Sequence, residues 1–237
     1  MEHEHTPEAI RLRLAEAPRH SYLRDWVNGG IDGSVTTFAV VTGVVGAHLA
    51  PAVILILGVA NLVGDGFSMA ASNYSATHTE RQELETLRRV EERHIDECPD
   101  GEREEVRQIF AGKGLNGQDL ERIVGVVTAD RELWIRTMLA DEYGVTSHLR
   151  SPLNAAASTF VAFFICGVVP LVPFIASLSH PFALSLASTV LVFFGIGSAK
   201  SLWLSIGWWR AGVETLLIGS AAAGLAYGAG VVLKNVA

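Results

Sequence analysis

Residues 61–97 read NLVGDGFSMAASNYSATHTERQELETLRRVEERHIDE. The first half is apolar enough for lipid and the second half belongs in water. Glu80 to Glu97 holds neither proline nor glycine, the two residues that disfavour a helix most. The stretch therefore reads as a membrane helix that continues as a polar, acidic helix.

A helix needs about 20 apolar residues to cross the hydrocarbon core. Ile31 to Leu49 and Pro51 to Tyr74 qualify, with GAHLAP as the turn between them. Asn154 to Ser177, Phe182 to Ser198 and Ala211 to Val232 follow, and the short Phe182 run continues past Lys200 into SLWLSIGWWR. The expected fold is all-α: a five-span bundle with a small helical domain inserted between spans two and three. The expected boundaries are 1–30 for an N-terminal segment, 31–78 for spans one and two, 79–148 for the insert, and 149–237 for spans three to five. The first twenty residues lack the apolar core of a signal peptide.

Of the 25 acidic residues, 17 lie between Thr79 and His148 with ten of the 18 Lys and Arg, so the insert carries the whole net charge of −7. Nucleic-acid binding needs a basic face, and none is visible. Cys98 and Cys166 lie in unlike surroundings and make no disulfide framework. Arg11, Arg13, Arg19 and Arg24 precede span one, Lys200 and Arg210 separate spans four and five, and GAHLAP and SLSHP have no Lys or Arg. By the positive-inside rule, the N-terminus and the insert face the cytoplasm and the C-terminus the other side. Ile10, Leu12, Leu14, Leu23 and Trp26 mix with the arginines, which fits an interfacial helix or a solvated tail equally well.

In the insert, CPDG turns the chain, and Val106, Ile109 and Phe110, then Leu120 to Val127, then Leu133, Trp134 and Met138 supply a core face. Residues three or four apart share a helix face. Glu91 with His94, Glu102 with Glu105, and Met138 with Glu142 therefore each present a pair of groups in one direction, and the turn would fold the first two pairs together. Oxygen and imidazole donors suit first-row divalent metals. A run of charge is also what a solvated helix face looks like, and spacing alone does not separate the two.

Within the spans, Asp32 and Asp65 are costly, by about 2.5–3.5 kcal/mol each on insertion scales, and are functional candidates for that reason. Asn61, Asp65, Met69 and Asn73 recur every four residues and form a slanted stripe on span two. The stripe fits a metal path or, alternatively, a polar seam between helices. A two-fold dimer would double Asp32 and Met69 around one axis, with Gly43, Gly46, Gly224 and Gly228 as close-packing positions.

DGSVTTFAVVTGVVGA followed by NLVGDGFSMAASNYSA, with the acidic insert and the ending ETLLIGSAAAGLAYGAG, resembles the vacuolar iron transporter family over nearly the whole chain. The resemblance implies a homodimeric exporter of cytosolic Fe2+, often also Mn2+, in exchange for protons, with the pore between subunits. It implies pore roles for Asp32 and Met69 and a mouth role for Asp25. It implies metal ligands at Glu91, His94, Glu102, Glu105, Met138 and Glu142, so that the insert collects metal for the pore. His94 stands where the family has Glu, Leu139 where it has a second Met, and Asn61 and Asn73 where members carry acids. The pathway thus has less charge than the family pattern, with Asp65 as the residue placed to restore it. No prosthetic group is implied; Fe2+, with Mn2+, Co2+ and Zn2+ as further ions, is cargo. The membrane would be a cell membrane in a bacterium and a vacuole-type membrane in a eukaryote. Two other readings compete: a membrane-anchored di-iron oxidase, since Glu91-x-x-His94 copies a ferritin-like motif of which this chain has only one, and a metal sensor without transport.

Overall fold

The computed structural model describes residues 6–15, 21–145, 150–201 and 207–234. Arg19, His148 and the stretch 202–206, all used in the sequence reading, lie outside the described residues. Every element among the described residues is helical: α1 (Pro7–Ala15), α2 (Leu23–Gly46), α3 (Pro51–Glu97), α4 (Pro99–Gly112), α5 (Gly117–Ala129), α6 (Arg131–Asp141), α7 (Pro152–Val168), a 3-10 turn (Val169–Leu171), α8 (Val172–Ile175), α9 (Pro181–Lys200) and α10 (Trp208–Lys234). Five of the helical stretches are long and apolar enough to cross a membrane: α2, α3, Pro152–Ile175, α9 and α10. That matches the five expected spans. The expectation of an unbroken polar continuation also holds, because α3 runs from Pro51 to Glu97 without interruption.

The chain forms two units, Ser21–Ala76 with Ser151–Ala237, and Thr77–Arg150 with Met1–His20. In the apolar unit, α2 is the central element and packs on α7, α9 and α10. It starts at Leu23 rather than Ile31, because Arg24, Asp25 and Asn28 mask the apolar period at its beginning. Glycines let α2 approach its neighbours at backbone distance. A Cβ on Gly29 would fall 2.3 Å from the Thr159 carbonyl oxygen, and one on Gly33 2.3 Å from that of Phe163. This is small-residue packing of the kind membrane helices use. Within the chain, Gly43 and Gly46 approach α10 at the carbonyls of Ala226 and Tyr227, while a Cβ on Gly224 or Gly228 would meet nothing of this chain within 4 Å. Gly230 also packs closely, with its Cβ position 2.3 Å from the Gly43 carbonyl oxygen.

The turn between α2 and α3 closes through Leu49 N–H to the Val44 carbonyl, with His48 at φ 58° and Pro51 opening the next helix, where its missing N–H costs nothing. Phe38, Val41, Val44, Ile54, Leu62 and Phe163 form the buried core beside it. The third span breaks near its end at Pro170 and Pro173, where proline removes a helical hydrogen bond. Ser185 on α9 donates to the Pro170 carbonyl there at 2.7 Å.

In the other unit, Ile95, Val106, Val124, Val127, Trp134, Ile135, Met138 and Leu139 make a core of their own, which Ile109, Phe110, Leu120 and Leu133 extend. Asp130 caps α6 by accepting from the N–H groups of Glu132 and Leu133. In α1, Ile10, Leu12 and Leu14 are two apart and so do not share a helix face; Leu12 and Leu14 are exposed.

Candidate functional site

The turn at Cys98 brings the end of α3 beside the start of α4. Glu91 and His94 come from α3, Glu102 and Glu105 from α4, and Glu142 from the residue capping α6. Glu91 and Glu102 are buried, at 1% and 4% exposure, while Glu105 and Glu142 are exposed and His94 is half-buried. Nδ1 of His94 lies 3.3 Å from Oε1 of Glu102. The Tyr143 hydroxyl donates to Oε1 of Glu91 at 2.9 Å. The second oxygens, Oε2 of Glu91 and Oε2 of Glu102, are buried with no hydrogen-bond partner among the described residues.

Electrostatics follows from this crowding. Burial, then the charges of Glu91 and Glu105, push the Glu102 carboxyl up to about 7, with His94 opposing and Glu142 adding to the rise. Desolvation, then Glu91 and Glu105, also raise Glu142. Desolvation and its bond to Glu91 hold the Tyr143 phenol well above its ordinary value, so Tyr143 stays a donor. The acids outside this group are treated differently. Arg88 pairs with Glu92 and Glu132, Arg107 with Glu104 and Glu121, Arg131 with Asp96, and Lys113 with Asp141. Among the described residues no Arg or Lys bridges Glu91, Glu102, Glu105 or Glu142. Buried carboxylate oxygens without donors are costly unless a cation or proton satisfies them. The donor set is of the hard oxygen and imidazole kind that suits divalent first-row ions.

The side chains do not meet as a finished ligand shell. Among the described residues, no three His, Cys, Asp or Glu side chains are arranged to hold a metal ion. Met138 has no exposed surface and sits in the apolar core with Leu139, so its thioether is enclosed by hydrocarbon.

In the apolar unit, α2 and α3 run antiparallel and the polar residues meet level by level. Asn73 donates to Oδ1 of the buried Asp25 at 3.0 Å, and the same amide reaches Oγ1 of Thr159 at 2.7 Å and the Ala155 carbonyl at 3.3 Å. Asn61 donates to the hydroxyls of Thr36 and Thr37 at 3.1 and 3.2 Å. Between these levels, Asp32 is half-buried and Asp65 is near enough for its charge to act on it. The stripe on α3 therefore divides. Asn61 and Asn73 make helix-to-helix bonds, Met69 packs half-buried against the core, and Asp65 is exposed on the unit's outer surface.

Thr36, Thr37, Thr159 and Tyr143 are partners that sequence reading missed. A residue adjoining Glu142 was a usable signal for Tyr143. Thr159, 86 positions from Asn73, offered none.

Five apolar helices, four of them around the glycine-rich α2, define a polytopic helical membrane protein with acidic residues among its spans. The chain belongs to the VIT family, whose model matches residues 23–231. It is therefore not an enzyme but a member of a family of transporters. It is 27% identical over 227 residues to the vacuolar iron transporter of Toxoplasma gondii, covering 91% of this chain and 75% of that protein. It is 27% identical over 225 residues to that of Plasmodium falciparum, with 90% and 82% covered. Vacuolar iron transporter 1 of Arabidopsis thaliana is 26% identical over 209 residues, with 86% and 83% covered.

Proposed function

We propose that this protein moves Fe2+, with Mn2+, Co2+ and Zn2+ as further candidate ions, out of the cytosol in exchange for protons. The observation that carries the reading is the group of Glu91, His94, Glu102, Glu105 and Glu142. It is left without Arg or Lys while neighbouring acids are paired, and two of its buried oxygens lack donors. These five residues are the metal ligands, and cation arrival draws the exposed Glu105 and Glu142 onto the buried pair. The vacuolar iron transporters among the relatives support iron as the cargo. The segment holding the group faces the cytosol, on the Lys and Arg distribution, and collects metal for the pore.

In the membrane, Asp32 and Asp65 take either metal or proton. Two nearby carboxylates repel when empty, which favours a proton on one of them; an arriving metal ion displaces it, and exchange follows. Asp25, Asn61, Met69 and Asn73 line the route. The working unit is a homodimer with its pore at the two-fold axis. An exposed Asp65 on a membrane helix supports this, because lipid contact would cost about 2.5–3.5 kcal/mol and a second copy would cover it. The test is metal flux in proteoliposomes, with Fe2+, Mn2+, Co2+ and Zn2+ in turn and an imposed pH gradient. Uptake of Fe2+ that scales with the proton gradient is expected. Binding without uptake would favour a sensor, and oxygen consumption without uptake an oxidase.

A further inference from the structure

Tyr143 is not one of the five proposed ligands, yet it touches one of them. Helix α6 ends at Asp141 and the chain then turns back. The Val145 N–H donates to the Leu139 carbonyl at 2.9 Å, and Gly144 takes φ 67°, a left-handed conformation that glycine adopts without strain. The Tyr143 ring lies half-buried in this turn, against the apolar core of its unit. Its hydroxyl reaches α3, 52 positions back in the chain, and donates to Oε1 of Glu91 at 2.9 Å.

Glu91 is 1% exposed, so water does little for its carboxylate. The same hydroxyl also bonds to Glu142, but that carboxylate is exposed and water serves it. A phenol has a single proton to give, and it belongs to the buried acid. The two oxygens of Glu91 are thereby made unequal: Oε1 has a fixed donor, and Oε2 is buried with no partner among the described residues. A carboxylate held in this way offers a cation one oxygen rather than two. The difference bears on selection. Ca2+ takes about six to eight oxygens and accepts both oxygens of a carboxylate. Zn2+ is held by about four donors, and imidazole suits Zn2+ and iron alike. We propose that Tyr143 is a positioning residue that holds Glu91 to one-oxygen coordination and so favours first-row divalent ions over Ca2+. The inference rests on the reading of Glu91 and Glu102 as metal ligands.

The test uses the full-length protein in detergent, titrated by calorimetry with Co2+ or Ca2+ as the only added metal. Only binding that Glu102→Gln weakens is assigned to this group. Tyr143→Phe keeps the ring and removes the hydroxyl. It should weaken Co2+ binding by about tenfold or more, the usual cost of losing a hydrogen bond to a ligating group, while Ca2+ binds no more weakly. The preference for Co2+ over Ca2+ then falls by the same factor, and the d–d absorption of bound Co2+ changes at saturation. Tyr143→Leu, which also removes the ring, should lower the melting temperature yet show the same preference as Tyr143→Phe. A wild-type preference and spectrum in Tyr143→Phe overturn the proposal. So does a parallel loss of both ions, which would make Tyr143 a packing residue. In both cases Glu102→Gln still weakens binding and the ligand reading stands. If Glu102→Gln binds both metals as wild type does, the ligand reading fails and takes the proposal with it.

Discussion

Asn73 holds the buried carboxylate of Asp25 at 3.0 Å while the same amide nitrogen lies 2.7 Å from the hydroxyl of Thr159. One side chain on α3 thus ties α2 to α7 at the level of Asp25. Charge-assisted hydrogen bonds of this kind contribute about 1.5–3 kcal/mol. Asn73→Ala should lower the thermal stability of the detergent-solubilised protein by an amount in that range, whereas Thr159→Val should cost about half as much. Equal melting temperatures for Asn73→Ala and wild type would show that the network does not hold the helices together.

Glu102 should make the metal-free segment less stable as pH rises. Its carboxyl ordinarily titrates near 4.5 and here near 7, so the folded state binds more protons than the unfolded state between those values. Stability contributed at this position is therefore fullest below about pH 4.5 and declines up to about pH 7. Glu102→Gln removes the decline. At pH 8 it should raise hydrogen-exchange protection in α4 by at least about tenfold, since proton affinity at this carboxyl rises by more than that on folding, and at pH 4.5 the gap should close. Metal binding has the opposite dependence. The ligands must be deprotonated, so Fe2+ or Mn2+ affinity should increase with pH through about 7. Calorimetry in buffers of different ionisation enthalpy should show a released proton, and Glu102→Gln should bind at least about tenfold more weakly.

Met138 separates a packing role from a ligand role. It is fully buried, so Met138→Ala should cost about 2–5 kcal/mol and Met138→Leu less than about 1.5 kcal/mol. Metal affinity in Met138→Leu should equal that of wild type. A selective loss of affinity for the softer ions in that variant would make the thioether a ligand.

The membrane helices were legible because a run of apolar residues long enough to span lipid has few other uses. The α3 continuation was legible because no glycine or proline interrupts Glu80 to Glu97. The pairing of Glu91 and His94 with Glu102 and Glu105 was half-legible. The spacing placed each pair on a face, but only the fold shows that Glu91 and Glu102 turn inward and Glu105 outward. The stripe of Asn61, Asp65, Met69 and Asn73 reads as uniform because helical period treats its members alike. Each level of α3 meets a different neighbour, however, and Thr36, Thr37 and Thr159 belong to other helices at distances in sequence that no local pattern encodes. Asp25 was named through the resemblance, but its burial was hidden for the same reason, since its partner Asn73 lies 48 positions away.

Asp32 carries the central claim. It is half-buried on α2, one helical turn from Thr36 and within the field of Asp65. Asp32→Asn keeps the shape and removes the charge that the proposed exchange assigns to metal or proton. The measurement is Fe2+ uptake into proteoliposomes under an imposed pH gradient, with expression, melting temperature and metal binding by the acidic segment checked alongside. The account predicts that uptake falls by about a hundredfold or more, equivalent to roughly 2.7 kcal/mol, while metal binding is retained. Uptake by Asp32→Asn at near wild-type rate, and still driven by the pH gradient, would contradict it.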